Sequence, residues 1–468
     1  MAGPVEVLLL IGTPAALGAC AALLLGLRPR EDALAFAAWS WLLGALVVAA
    51  LLFVALVAGL PLAALRWVPA VALGVLLLCC WRMCRGQGAV AGPARGPGRT
   101  LLLVVTAACL LVTCDRILRA DETVVCFGDE GTMWSVKAKA LWLSGGLTPE
   151  FASLVAAPGP LDHKAMREHA DYPLQNPLLQ LWSFALAGDV THVQNRLVVQ
   201  VFALALLLLL ASAARRVAPA GVAAAAVALV ALSGDFQEAC GTATADILVA
   251  LGLLASLDAW SRWRASGERR FLALFAACLA SLAWSKNEGA MLAVVAGAAC
   301  LVTAGASGRA RRVQALALLP AAAVMVAQAL FNAAFDLHSD LFAVTADGGF
   351  LGRVGAQAAA HLPVIGRYAF HDALLDVRSG NLVPAMMLLA LAFFPLRLPA
   401  RAPAATATLL VGAAAYLLVY LGTPRLIEWH LRFSLHRVLL QLAPLVAVWL
   451  AGAAAWLLRP DQERARLA

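Results

Sequence analysis

Apolar residues run in long stretches separated by short polar breaks along nearly the whole chain. A bilayer core of about 30 Å needs about 20 such residues per helix. On that spacing the sequence predicts about thirteen helical spans, over 4–26, 33–59, 62–82, 100–118, 195–214, 218–234, 244–260, 269–285, 288–306, 313–333, 381–396, 404–422 and 437–457. The largest interruption is a polar loop over 119–194. It opens on Cys126-Phe127-Gly128-Asp129-Glu130-Gly131, continues through Trp134, Lys137 and Lys139, and closes on His169-Ala170-Asp171-Tyr172-Pro173-Leu174. Within it, the apolar stretch 178–187 is about half the length of a crossing. We expect 177–186, and likewise 132–143 with Trp134 and Trp142, to be amphipathic helices lying in the membrane interface. The pattern is that of an all-α polytopic membrane protein. Residues 1–99 would be accessory helices with a basic loop, 100–333 the core, 334–380 an outer loop forming a lid or platform, and 381–468 terminal helices with a tail.

Composition agrees: 63% hydrophobic and 13% charged residues, with a mean hydropathy of +0.85, exclude a soluble domain. The first apolar stretch lacks a basic leader and runs too long for a cleavable signal. Charge then orients the chain. Arg82, Arg85, Arg95 and Arg99 share one break, followed by Arg215-Arg216, by Arg262, Arg264, Arg269 and Arg270, by Arg309, Arg311 and Arg312, by Arg397 and Arg401, and by Arg459, Arg464 and Arg466. Placing these in the cytoplasm leaves the long loop outside. The net charge of +8 therefore concerns topology and anionic lipid rather than nucleic acid.

This topology gathers the other ionisable residues at the outer face. There lie Asp129 and Glu130, Gly234-Asp235-Phe236-Gln237-Glu238 leading to Asp246, the turn Trp284-Ser285-Lys286-Asn287-Glu288-Gly289, and Arg425, Glu428, His430, Arg432, His436 and Arg437. All four lysines, Lys137, Lys139, Lys164 and Lys286, join them. Charges at helix ends facing a bundle are costly unless a ligand or pathway uses them, and outer lysines suit an anionic headgroup. Each also has a plainer role. Asp129, Glu130 and Asp246 can cap helices, Lys137 and Lys139 can snorkel, Lys286 and Glu288 can close a turn, and His169 and Asp171 can form a surface turn. Asp121 and Glu122 read as solvated interface. Asp and Glu with His169 can bind a divalent metal ion, though no spacing demands one. Most of the ten cysteines fall in spans; Cys126 and Cys240 lie in outer segments and can pair if that face is oxidising.

At these residues the chain resembles the C-type superfamily of membrane glycosyltransferases, which includes protein mannosyltransferases and the aminoarabinose transferase of lipid A. Asp129-Glu130, Trp134, Lys137-Ala138-Lys139-Ala140-Leu141, Gly145-Gly146 and Asp171-Tyr172-Pro173-Leu174 stand in the superfamily's order. Gly188 to Arg196, Asp246, Lys286-Asn287-Glu288-Gly289 and Trp429-His430-Leu431 through Arg437 continue it. The superfamily often has Pro-Pro-Leu where Tyr172-Pro173-Leu174 stands, and three spans precede its usual first helix. The resemblance implies an inverting transferase in a bacterial inner membrane, its active site extracytoplasmic. The sugar would leave a polyprenyl-phosphate carrier for a lipid, glycan or protein acceptor. Such a transfer needs a base near the acceptor, which Asp129 supplies, or Glu130 if the helix phase turns the other way. It needs positive charge at the departing phosphate, for which Lys286, Arg437 and Lys137 are candidates. Trp134, His169, Asp171, Tyr172, Asp246, Glu288 and His430 remain as substrate-binding candidates. A secondary transporter is the alternative from another class, and a lipid-linked glycan ligase or polymerase shares the donor chemistry.

Overall fold

A computed structural model describes residues 4–84, 99–120, 129–156, 169–190, 194–304, 308–339, 341–342, 349–371, 388, 392 and 402–459. The described residues form helices and no strand. Four long helices come first: α1 (Pro4–Leu24), α2 (Ala33–Val57), α3 (Val68–Cys84) and α4 (Arg99–Ala120). A π-helical turn, Glu130–Ser135, leads into α5 (Val136–Leu143), α6 (Pro149–Ala156) and α7 (Gln175–Ala187). The core continues with α8 (Gln194–Val217), α9 (Ala220–Ala231), α10 (Gly234–Cys240), α11 (Asp246–Ser266), α12 (Arg269–Ser285) and α13 (Asn287–Thr303). Then come α14 (Gly308–Leu316), α15 (Leu319–Ala334), α16 (Phe350–Tyr368), α17 (Pro403–Leu421) and α18 (Ile427–Leu457).

Eight of these stretches are long and apolar enough to cross a membrane. The other expected spans differ in identifiable ways. The helices α9 and α10 meet at a 63° bend, α12 and α13 have only 17 residues each, and α11 carries Asp246, Asp258, Arg262 and Arg264. The span expected over 381–396 lies outside the described residues apart from two isolated positions. Burial separates centre from rim. Every residue of α11 from Asp246 to Trp260 is buried, whereas α3, α4 and α15 expose Val71, Val75, Val104, Leu111, Val326 and Leu330. Rows of bare apolar side chains on long helices are a lipid-facing surface.

The helix over 177–186 corrects an expectation. It does not lie amphipathically in an interface, because Gln175 through Ala185 are all buried. Its polar residues are used inside the bundle. Gln175 donates to Ser281 (2.9 Å), Gln180 donates to Asn176 (2.8 Å), and Asn176 donates to the Ala243 carbonyl (2.8 Å). Ser135 and Asn195 both donate to Gln180 Oε1 (2.7 and 2.8 Å). The same holds over 132–143, where Trp134 and Lys137 are buried rather than placed among headgroups.

At the opposite end of the bundle a second network fastens α2 to the core. Asp32 caps α2 at Ala35 and accepts from Ser212 (2.6 Å) and Arg262 (2.7 Å). Arg262 also pairs with Asp258 (2.9 Å), which Arg216 contacts as well. Together with Trp41 against Phe202 and Phe53 against Trp284, this packs α2 into the bundle centre. The terminal pair closes tightly: a Cβ on Gly18 or Gly44 would lie inside the backbone of the facing helix, so α1 and α2 meet main chain to main chain.

Candidate functional site

Lys286 is the extended residue that joins α12 to α13 (φ −166°, ψ 161°), and the turn points its ammonium at the first residue of α11. That residue, Asp246, is 1% exposed and collects three donors. Lys286 Nζ lies 3.1 Å from Oδ1, Gln441 Nε2 2.7 Å from Oδ1, and Arg437 Nε 2.8 Å from Oδ2. A carboxylate at a helix N-terminus also gains from the helix dipole. On its other side Arg437 pairs with Asp129, and Lys286 pairs with Glu288 at 2.9 Å. Three carboxylates and two cations drawn from four chain segments thus form one continuous chain of ion pairs.

Tyr172 roofs this cluster. Its hydroxyl donates to Glu288 (3.4 Å), and the ring has the Lys137 and Lys286 ammoniums 5.8 and 5.7 Å from its centroid. His169 stacks on it at 4.4 Å, and Trp134 packs against it at 5.4 Å. His169 itself has a left-handed backbone (φ 61°), a conformation uncommon outside glycine. Burial first, then the charges of Arg425, Lys286 and Lys137, hold its imidazole well below the usual range. Burial, and next Glu288, hold the Tyr172 phenol well above its own. Burial thus favours the neutral form of both rings.

The structure parts several residues that the sequence groups together. Asp129 retains a side chain 34% exposed. Its neighbour Glu130 is buried against Arg196, whose Nη2 lies 2.9 Å from Oε2, and Oε1 also accepts the Ala243 amide at 2.9 Å. Glu130 thereby ties the π-helical turn to α8 and to the approach of α11, an anchoring position. Lys137 donates to the carbonyls of His169 (3.0 Å) and Tyr172 (2.8 Å), so it pins the Tyr-Pro turn. Asp171 accepts from Asn287 (2.6 Å), and Asn332 donates to its carbonyl (3.0 Å). His430 is hydrogen-bonded to Thr423 (2.9 Å) and packs edge-on to Tyr420. Sequence reasoning passed over Gln441 and Tyr416, which bonds it. The signal was available, since Gln441 lies one turn beyond Arg437 on the same helix face.

Among the described residues no three His, Cys, Asp or Glu side chains converge as metal ligands. Asp129, Glu130 and His169 are directed to separate partners. Cys240 is a buried free thiol, while Cys126, Asp121, Glu122 and Lys164 lie outside the described residues.

These features define an all-α, multi-pass membrane protein with an ion-pair cluster at one end of its bundle. No family model, curated protein or solved structure matches the chain.

Proposed function

We propose that the protein is a glycosyltransferase of the C-type membrane class, moving a sugar from a polyprenyl-phosphate carrier to a hydroxyl or amine acceptor on the extracytoplasmic face. The observation that carries this reading is the meeting of Lys286 and Arg437 on Asp246, with Asp129 beyond Arg437. In the reaction the acceptor proton passes to Asp129, and the acceptor atom bonds the anomeric carbon. The bond from that carbon to the phosphate oxygen breaks, its electron pair remaining on the phosphate. In this reading Lys286 and Arg437 supply the cations that stabilise that growing charge. Asp246, engaged by three donors, orients both. Both carboxylates pair with an arginine, but Glu130 is enclosed by Arg196 whereas the Asp129 side chain stays 34% exposed beside Arg437, which favours Asp129 as the base. The cluster sits at helix ends, at the start of α11 and the joint of α12 and α13. A transporter site would be expected nearer the midplane.

Purified protein given labelled polyprenyl-phosphate sugars should release label from the carrier. Asp129→Asn should lower turnover about 10²–10⁴-fold while leaving carrier affinity measurable, and Lys286→Ala should weaken binding of polyprenyl phosphate alone. Near-normal turnover in Asp129→Asn would remove it as the base. Unaltered carrier affinity in Lys286→Ala, together with proton-dependent solute uptake into proteoliposomes abolished by Glu288→Gln, would replace the transferase with a transporter.

A further inference from the structure

A cavity of about 690 Å³ opens at the other end of the bundle, among the final turns of α8, α11, α13 and α18 and the first turn of α17. That volume falls within the range of about 300–1,000 Å³ typical of small-molecule sites. It is separate from the ion-pair cluster, because Arg264 on its rim stands 18 residues beyond Asp246 along α11, about 27 Å at 1.5 Å per residue. Two chemistries meet there. The inner wall is apolar, built from Leu254, Leu445, Val448 and Trp449. The rim carries Arg216, Arg264 and Arg459. Among the described lining residues Asp258 is the one carboxylate, shared by Arg216 and Arg262, and the Arg264 guanidinium donates to the neutral Ala304 carbonyl, so the described lining carries more arginines than carboxylates.

We infer that this cavity binds an anionic phospholipid, with its phosphate on the arginine rim and an acyl chain against α17 and α18. An apolar slot ending in arginines at the arginine-rich end of a membrane bundle has the charge complement of such a headgroup. Trp449 and Trp456 line the slot, and Trp449 Nε1 is held by Thr406 (2.9 Å), which presents the indole as a fixed apolar wall. The inference is independent of the transfer reaction, since no residue of the ion-pair cluster lines the cavity.

The test is tryptophan quenching of the full-length protein in neutral detergent by dibrominated phosphatidylglycerol or dibrominated phosphatidylcholine. Phosphatidylglycerol should quench saturably, and at lower concentration than phosphatidylcholine, with the saturable part largely lost in Trp449→Phe. Arg264→Gln and Arg459→Gln, at helix ends, should each weaken the half-saturation about fivefold with an unchanged melting temperature, and Arg264→Lys should restore most of it. Gly452→Leu fills the slot. A Cβ there meets only Val217, at 3.8 Å, so the variant should fold and lose saturable quenching. Equal potency of the two lipids would overturn headgroup recognition. Saturable quenching that survives both Gly452→Leu and the arginine variants would overturn the cavity as the binding site.

Discussion

Burial to 2% exposure draws the Lys137 ammonium down to about 7, against the opposing attraction of Asp171. Its two carbonyl acceptors need only two N–H donors, which a neutral amine supplies. Because the folded value lies below the ordinary 10.5, the unfolded chain binds more protons between these two values. Stability from this residue therefore rises with pH across that window and falls as pH drops toward 7. The difference in melting temperature between wild type and Lys137→Met should widen from pH 7 to 9.5. Superimposed is a loss of about 2 kcal/mol from the stranded carbonyls. A difference that stays flat with pH would show that the lysine is charged in the fold. Asp129 and Glu130 make a related point. They are adjacent and chemically alike, yet one faces Arg437 and the other is enclosed by Arg196. No spacing rule separates such neighbours, because the choice depends on which cation each meets across the bundle.

The short helix α7 was legible as a helix that does not span, from its length, but not as a buried one. Its mixture of Gln, Asn and Ser with Leu and Trp suggests two-faced exposure, and the bundle instead satisfies each polar group internally. Gln180 is the hub, accepting from Ser135 and Asn195 and donating to Asn176. Gln180→Leu should thus destabilise the protein by about 3 kcal/mol, read as a lower thermal unfolding midpoint in detergent. An unchanged midpoint would mean that the network contributes nothing net. The joint between α12 and α13 was more legible. The motif Lys286-Asn287-Glu288-Gly289 reads as a turn, and the structure adds why glycine stands there: a Cβ on Gly289 would collide with the Leu282 carbonyl.

The bundle has two unlike ends. One holds Asp129, Asp246, Lys286 and Arg437; the other holds Arg216 and Arg262 on Asp258, beside Arg264. If arginine-rich ends remain in the cytoplasm, a cysteine at Leu426, 82% exposed, should react with an impermeant maleimide on intact cells. One at Ser266 should react only after permeabilisation, each tested with Cys79 replaced. The opposite labelling would place the ion-pair cluster inside and end the extracytoplasmic transfer reading.

Hydrophobic run length was enough to establish an all-α membrane protein and eight of the expected spans, and together with arginine asymmetry it pointed to a gathering of ionisable groups at one end, because each is a property of the chain read along its axis. Which of those groups touch was decided in three dimensions. Asp246, Lys286 and Arg437 are separated by 40 to 191 residues, and their meeting depends on the rotation of α11, α12 and α18 about their own axes. In helices apolar all round, sequence periodicity carries almost no signal of that rotation. Packing supplies it, by deciding which buried polar groups find partners.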